Sequence, residues 1–238
     1  MWINQALGKL SDNKTYSRDD LFRLFTLEKK DLSNSAFRWT LYNLLQKEKL
    51  FRTDYDTYVT VKPKVLPEYK PYYSQRAVTL LEMLEEKYPD LEFVVFESVL
   101  LNEFLNHQIA QNTIYVQVEK DVSSYIFDML LENHTGSVLY RPGKSEFDRY
   151  WTKECIVVLD LVSQSPLSRD KKHEITIEKM IVDILAEKSI AATFSPSELP
   201  FVYENVMKSY LVDIRKVNRY AGRRGKTSEV EKLVGGLD

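Results

Sequence analysis

Cysteine occurs once in this chain, at Cys155, and histidine three times, at His107, His134 and His173. A single cysteine forms no internal disulfide and builds no cysteine-based zinc site, and three scattered histidines offer no metal-ligand spacing. Only 7 glycines among 238 residues leave no glycine-rich phosphate loop. No apolar run reaches the roughly 18 residues that a membrane-spanning helix needs. The start, Met1-Trp2-Ile3-Asn4-Gln5, has neither the basic n-region nor the apolar h-region of a signal peptide. These absences predict a cytoplasmic protein with no metal, no cofactor and no membrane partner.

Apolar residues make up 44% of the chain, enough for a core in each of one or two domains. The net charge of −2 conceals a strong segregation. Residues 1–64 carry 12 Lys/Arg against 8 Asp/Glu, whereas residues 65–206 carry 13 against 23. Residues 207–226 return to 7 against 1. A polyanion responds to local patches within about a Debye length, roughly 10 Å, so two basic ends are more informative than the sum. Basic helix tails also arise simply because cations suit helix C-termini.

The first basic segment has a recognisable order. Ser17 and Asp20 form an S-x-x-D capping box that predicts a helix from Arg18 to Phe25. Lys29-Lys30-Asp31-Leu32 breaks it, and Ser33 caps a second helix from about Asn34 to Lys47. There Phe37, Leu41, Leu44 and Leu45 recur on one face. The other face carries Ser35, Arg38, Trp39, Tyr42, Asn43 and Gln46. Two β-prone runs follow, Leu50 to Thr53 and Thr57 to Val61, joined by Asp54-Tyr55-Asp56. Helix, helix and hairpin in that order is a winged helix-turn-helix, whose second helix enters the DNA major groove. The alternative is a small helical domain whose polar face only meets water.

Three prolines between Pro63 and Pro71 mark residues 65–74 as a linker after a DNA-binding domain of residues 1–64. Residues 75–238 then read as an α/β domain with a small central sheet and a helical C-terminal part. Ser74 caps a helix over Gln75 to Lys87, and strands are expected at Leu91 to Phe96, Thr113 to Val118, Ser137 to Tyr140 and Cys155 to Leu159. Val99 to Leu105 reads as helical, and Asp121 is expected to open another helix. From Thr176 the chain turns helical: Ile177 to Glu187, a helix entered at Ser195-Pro196, then Val212 to Tyr220 and Ser228 to Val234. The fold class is therefore mixed, α+β or α/β, behind an N-terminal winged helix.

Several phrases of the second domain resemble one family. Phe96-Glu-Ser-Val-Leu-Leu-Asn-Glu-Phe-Leu-Asn-His107, Val118-Glu-Lys-Asp-Val122, Ser165-Pro-Leu167, Thr176-Ile-Glu-Lys-Met-Ile-Val-Asp183 and Tyr220-Ala-Gly-Arg-Arg-Gly-Lys226 are similar, in the same order, to AbiEi-type antitoxin proteins. Those proteins belong to type IV toxin–antitoxin, abortive-infection operons. The resemblance implies an antitoxin whose winged helix represses its own operon at operator DNA. It also implies a C-terminal domain that counteracts a nucleotidyltransferase-like toxin.

Candidate DNA contacts are Asn34, Ser35 and Arg38 on the leading turn of the second helix, with Tyr42, Asn43 and Lys47 further along and Lys62 and Lys64 after the hairpin. Arg38 is the best placed for bidentate contact with a guanine edge. Trp39 is expected more in the core than at the groove. The acidic tip Asp54-Tyr55-Asp56 argues against groove reading by the hairpin. In the basic tail, Arg215, Arg219 and Arg223 fall at i, i+4 and i+8. With Lys216, Tyr220, Arg224 and Lys226 they form a candidate surface for the partner or for phosphate, the alternative being an internal clamp on the acidic middle. Catalysis is not expected. Glu97, Glu119, Asp121 and Asp160 with Lys120 mimic a metal-dependent nuclease or nucleotidyltransferase, but the motifs of those enzymes are missing and such acids commonly cap helices. A stand-alone winged-helix regulator with a ligand-sensing domain is the other reading.

Overall fold

The structure is a computed structural model describing residues 2–12, 14–54, 56–63, 65–134, 136–168 and 173–235. It is a mixed α+β protein with two small sheets, divided into one unit of Met1–Lys70 with Met207–Leu211 and another of Pro71–Val206 with Val212–Asp238. No described helix is long and apolar enough to cross a membrane.

The first unit begins with α1 (Trp2–Leu7) and β1 (Tyr16–Ser17), two elements too short to declare themselves by periodicity. Helix α2 (Arg18–Glu28) starts at the Ser17 capping box, where the Ser17 hydroxyl accepts from the Asp20 amide at 3.0 Å and the Asp20 carboxylate accepts from the Ser17 amide at 3.1 Å. Helix α3 (Asn34–Gln46) starts at Ser33, whose hydroxyl accepts from the Ala36 amide at 3.2 Å. The hairpin is β2 (Phe51–Asp54) and β3 (Thr57–Val59), antiparallel, with a bulge between Arg52 and Asp54. Strand β1 joins the far side of β3 through Tyr16↔Tyr58, giving the order β1-β3-β2. Ala6, Leu21, Phe25, Phe37, Leu41, Leu44 and Leu50 form its core.

The second unit opens with α4 (Gln75–Lys87), capped by Ser74, and a sheet of order β4-β5-β7-β6. Its strands are β4 (Phe93–Glu97), β5 (Ile114–Val118), β6 (Val138–Tyr140) and β7 (Ile156–Asp160). Strand β4 runs antiparallel to β5, while β5, β7 and β6 are parallel. Every residue of β4 and β5 is buried, so both faces of these strands are covered, as near-continuous apolar runs require. A 3-10 turn at Ser98–Glu103 replaces the expected helix there. Helices α5 (Ser123–Asn133) and α6 (Lys144–Tyr150) make the parallel crossovers. Asp121 does not open α5: its N-cap is Val122, which makes no side-chain cap.

The helical part comprises α7 (Ile177–Ala186), α8 (Lys188–Ala191), α9 (Leu199–Ser209), α10 (Ile214–Arg224) and α11 (Thr227–Gly235). A 3-10 turn at Pro196–Glu198 leads into α9, and α10, capped by Asp213, begins at Ile214, two residues after the expected start. Gly225 ends α10 at φ +65°, a left-handed position that glycine takes without steric cost. Helix α7 is buried from Ile177 to Ile184 and packs on α10.

Candidate nucleic-acid interface and basic tail

Helix α3 has two faces. Phe37 is 1% exposed and meets Phe22 and Phe25 edge-on, with ring centroids 5.0 and 5.8 Å away. Leu41 and Leu44 continue the inward stripe. On the opposite side Asn34, Ser35, Arg38, Trp39, Gln46 and Lys47 are exposed. The Ser35 hydroxyl lies 3.1 Å from that of Ser33, so it is already engaged in the cap.

Two aromatic expectations exchange places. Tyr42, expected on the outward face, is buried at 9% exposure and belongs to the core. Trp39, expected inward, is 57% exposed. A helix turns 100° per residue, so Trp39, two residues from Phe37, faces away from it, whereas Tyr42 is drawn inward by packing that spacing alone does not reveal. Asn43 is half-buried, and its side-chain amide donates to the Trp39 carbonyl at 2.8 Å.

Lys62 is exposed and pairs with Glu48 at 3.5 Å. Lys64 and Tyr55 lie outside the described residues. At the hairpin turn, burial raises the Asp56 carboxyl above its ordinary range, although the Arg18 backbone amide bonds to it. Several cations of this unit are held internally: Lys9 pairs with Glu28, Lys14 sits over Tyr16, and Lys29 over Trp2. Arg38 on α3 and Lys47 at its C-cap are exposed.

In the basic tail, α10 divides its residues cleanly. Arg215, Arg219 and Arg223 are exposed along one line, and the Arg223 guanidinium donates to the Ser163 hydroxyl at 2.5 Å. Lys216 is half-buried, and Lys226 pairs with Glu229 at 2.8 Å. Tyr220 and Arg224 are corrected from surface to interior. Tyr220 is fully buried, its hydroxyl donating to Asp183 at 2.8 Å and accepting from Lys179 at 2.9 Å. Arg224 pairs with Glu187 and approaches Asp183 at 3.9 Å, the internal clamp considered for this segment. Both sit one turn from Val217 and Ala221 on the face that meets α7.

That interior holds a polar network not anticipated from sequence. The Lys179 ammonium, with no exposed surface, donates to Gln117 at 2.6 Å, Asp183 at 2.8 Å and Tyr220 at 2.9 Å. Gln117 also donates to Asp183 at 2.8 Å. Burial pushes the Asp183 carboxyl up, but Lys179 and Arg224 more than offset this and hold it below the usual aspartate range. The only sequence signal was the pair Lys179 and Asp183 at i and i+4 within an otherwise apolar helix.

The acids considered for metal catalysis are dispersed. Glu97 is buried and accepts from the amide and hydroxyl of Ser74, the residue that caps α4, while Asp160 pairs with Arg141 at 3.2 Å and accepts from Ser123 at 2.7 Å. Glu119, Lys120 and Asp121 are exposed. No group of three or more His, Cys, Asp or Glu suited to a metal ion occurs among the described residues.

A model described as a family of unknown function (DUF6577) matches residues 36–236. No curated protein and no solved structure matches the chain.

Proposed function

The chain belongs to that family, whose match runs from the first turn of α3 into the C-terminal residues, and we propose that it binds duplex DNA as a winged helix, with α3 in the major groove. The observation that carries this reading is the leading turn of α3, where Asn34, Arg38 and Trp39 face outward while Phe37 anchors the helix from behind. The order β1-α2-α3-β2-β3, with β1 paired to β3, supports it as well. In this reading Arg38 takes a guanine edge, Lys47 meets phosphate, and the acidic hairpin turn stays off the groove.

Fluorescence anisotropy with a duplex from the chain's own promoter tests the proposal. Arg38→Ala is expected to weaken that duplex by roughly 10- to 100-fold, the loss of one bidentate pair worth about 1–3 kcal/mol, and to affect random duplex far less. Lys47→Ala should weaken both equally and lower the salt slope by about one. Equal affinity of the wild-type chain for promoter and random DNA at physiological salt would sink specific repression.

The purpose of that binding follows the AbiEi-like phrases: repression of an operon in which this chain is the antitoxin to a nucleotidyltransferase-like toxin, acting without chemistry of its own. The exposed line Arg215, Arg219 and Arg223 is the surface we assign to the antitoxin action. Co-expression with the nucleotidyltransferase-like neighbour should restore growth. Replacing the three arginines by alanine should abolish that rescue while promoter affinity stays unchanged. Rescue that survives the triple change removes this line from the antitoxin surface.

A further inference from the structure

Helix α10 turns three of its arginines outward without a counter-charge. Arg224 is answered by Glu187 and Asp183, and Lys226 by Glu229. Among the described residues no carboxylate pairs with Arg215, Arg219 or Arg223, and Arg223 reaches only the neutral Ser163 hydroxyl. Ile214–Arg224 contains no acidic residue, and the Asp213 carboxylate before it is engaged by the Arg215 and Lys216 amides. The three arginines stand at i, i+4 and i+8, where like charges repel and weaken a helix. A row of anions laid along the line turns that repulsion into attraction.

Gly222 lies in the same face, one turn from Asn218 and Arg219. It is exposed, and a side chain there would meet only the Thr227 hydroxyl at 3.8 Å. Packing therefore does not demand glycine, although glycine is the poorest helix former after proline. What the missing side chain allows is close approach to the helix backbone between the arginines.

We infer that this face of α10 binds single-stranded RNA. Successive arginines are about 6 Å apart along the helix axis, a regular repeat that a nucleic-acid backbone can meet with one phosphate per arginine whatever its sequence. The guanidinium fork matches phosphate oxygens as a two-pronged donor. A flexible strand follows a convex helix and lowers a ribose or base onto Gly222, which a rigid duplex cannot do. The exposed Asn218 amide beside Gly222 offers both a donor and an acceptor to a ribose 2′-hydroxyl, the group that distinguishes RNA from DNA. This role rests on the assignment of the line to antitoxin action, with RNA as what that surface holds.

Fluorescence anisotropy of a labelled oligouridylate of about twelve nucleotides, titrated with the full chain, tests it. Saturable binding is expected, with oligodeoxyuridylate weaker and polyglutamate a poor competitor. Arg215→Gln/Arg219→Gln should keep the fold, checked by circular dichroism, and weaken RNA by about tenfold or more. It should also make the log–log salt dependence shallower by about 1.4, from two phosphates at about 0.7 each. Gly222→Leu keeps every charge and a helix-forming residue, and should weaken RNA several-fold without loss of fold. No saturable binding, unchanged affinity in either variant, equal affinity for oligodeoxyuridylate or equal competition by polyglutamate overturns the proposal. Growth rescue lost in the triple arginine change while the wild type binds no RNA keeps the antitoxin surface and removes RNA. RNA binding with rescue intact in the triple change does the reverse.

Discussion

Asp183→Ala is expected to destabilise the second unit by about 3–5 kcal/mol, the cost of leaving a buried charge without its partner. Lys179 would keep Gln117 and Tyr220 as hydrogen-bond partners but lose the carboxylate 2.8 Å from its ammonium. Arg224, whose buried Nε has no hydrogen-bond partner, would lose its more distant charge contact, Asp183 at 3.9 Å, and keep Glu187. Denaturant unfolding followed by hydrogen exchange in α7 and β5 measures the effect. The double replacement Lys179→Met/Asp183→Leu removes both charges at once and should be less destabilised than Asp183→Ala, because the desolvation cost leaves with them. Full recovery is not expected, since Gln117 and Tyr220 then lose partners at about 1–3 kcal/mol for each unsatisfied group. A double variant worse than the sum of its singles would overturn the charge account.

The same carboxylate sets a pH dependence with a definite sign. Asp183 titrates below its ordinary range when folded, so between the folded and unfolded values the unfolded chain binds the extra proton. Its stabilising contribution is fully present above about pH 4, where an unfolded aspartate is ionised, and is lost as the pH falls through the folded value. Acid unfolding of the wild type should therefore be steeper in this range than that of the double variant. Equal slopes would place the acid sensitivity elsewhere.

Local rules made much of this architecture readable. Ser17 with Asp20, Ser33 and Ser74 each announced a helix, and each hydroxyl accepts from the amide three residues on. The β-rich runs around Val95, Val116 and Val158 lie in strands as expected. Elements held by tertiary contact were not readable. Strand β1 is only two residues long, and α1 presents just Ala6 as a fully buried residue. The site residues divide in the same way. Asn34, Arg38, Arg215, Arg219 and Arg223 follow from helical spacing alone, and all are exposed. Tyr42, Tyr220 and Arg224 do not, because tyrosine and arginine are amphipathic, and packing decides which end prevails. Nor could spacing reveal the Gln117–Lys179–Asp183–Tyr220 network, which joins β5, α7 and α10 across more than a hundred residues.

Phe37→Ala is expected to cost about 3–5 kcal/mol, the range for removing a buried phenyl ring, with the two edge-on contacts to Phe22 and Phe25 among the interactions lost. A unit of about seventy residues has little stability to lose, because small domains bury a smaller share of their surface. Hydrogen-exchange protection in α2 and α3 should therefore collapse, while the buried strands β5 and β7 keep theirs. Phe37→Leu, which keeps most of the volume, should retain protection. Arg38 is the next residue along the helix, yet it points to solvent, and Arg38→Ala should leave protection in α3 untouched. If α3 is the DNA-reading helix, both alanine variants lose promoter affinity for opposite reasons: one because the helix is no longer held, the other because a held helix has lost its contact. Lowering the temperature or adding a stabilising osmolyte should rescue promoter binding by Phe37→Ala and not by Arg38→Ala. Rescue of both, or of neither, would mean that the two faces of α3 do not divide support from recognition.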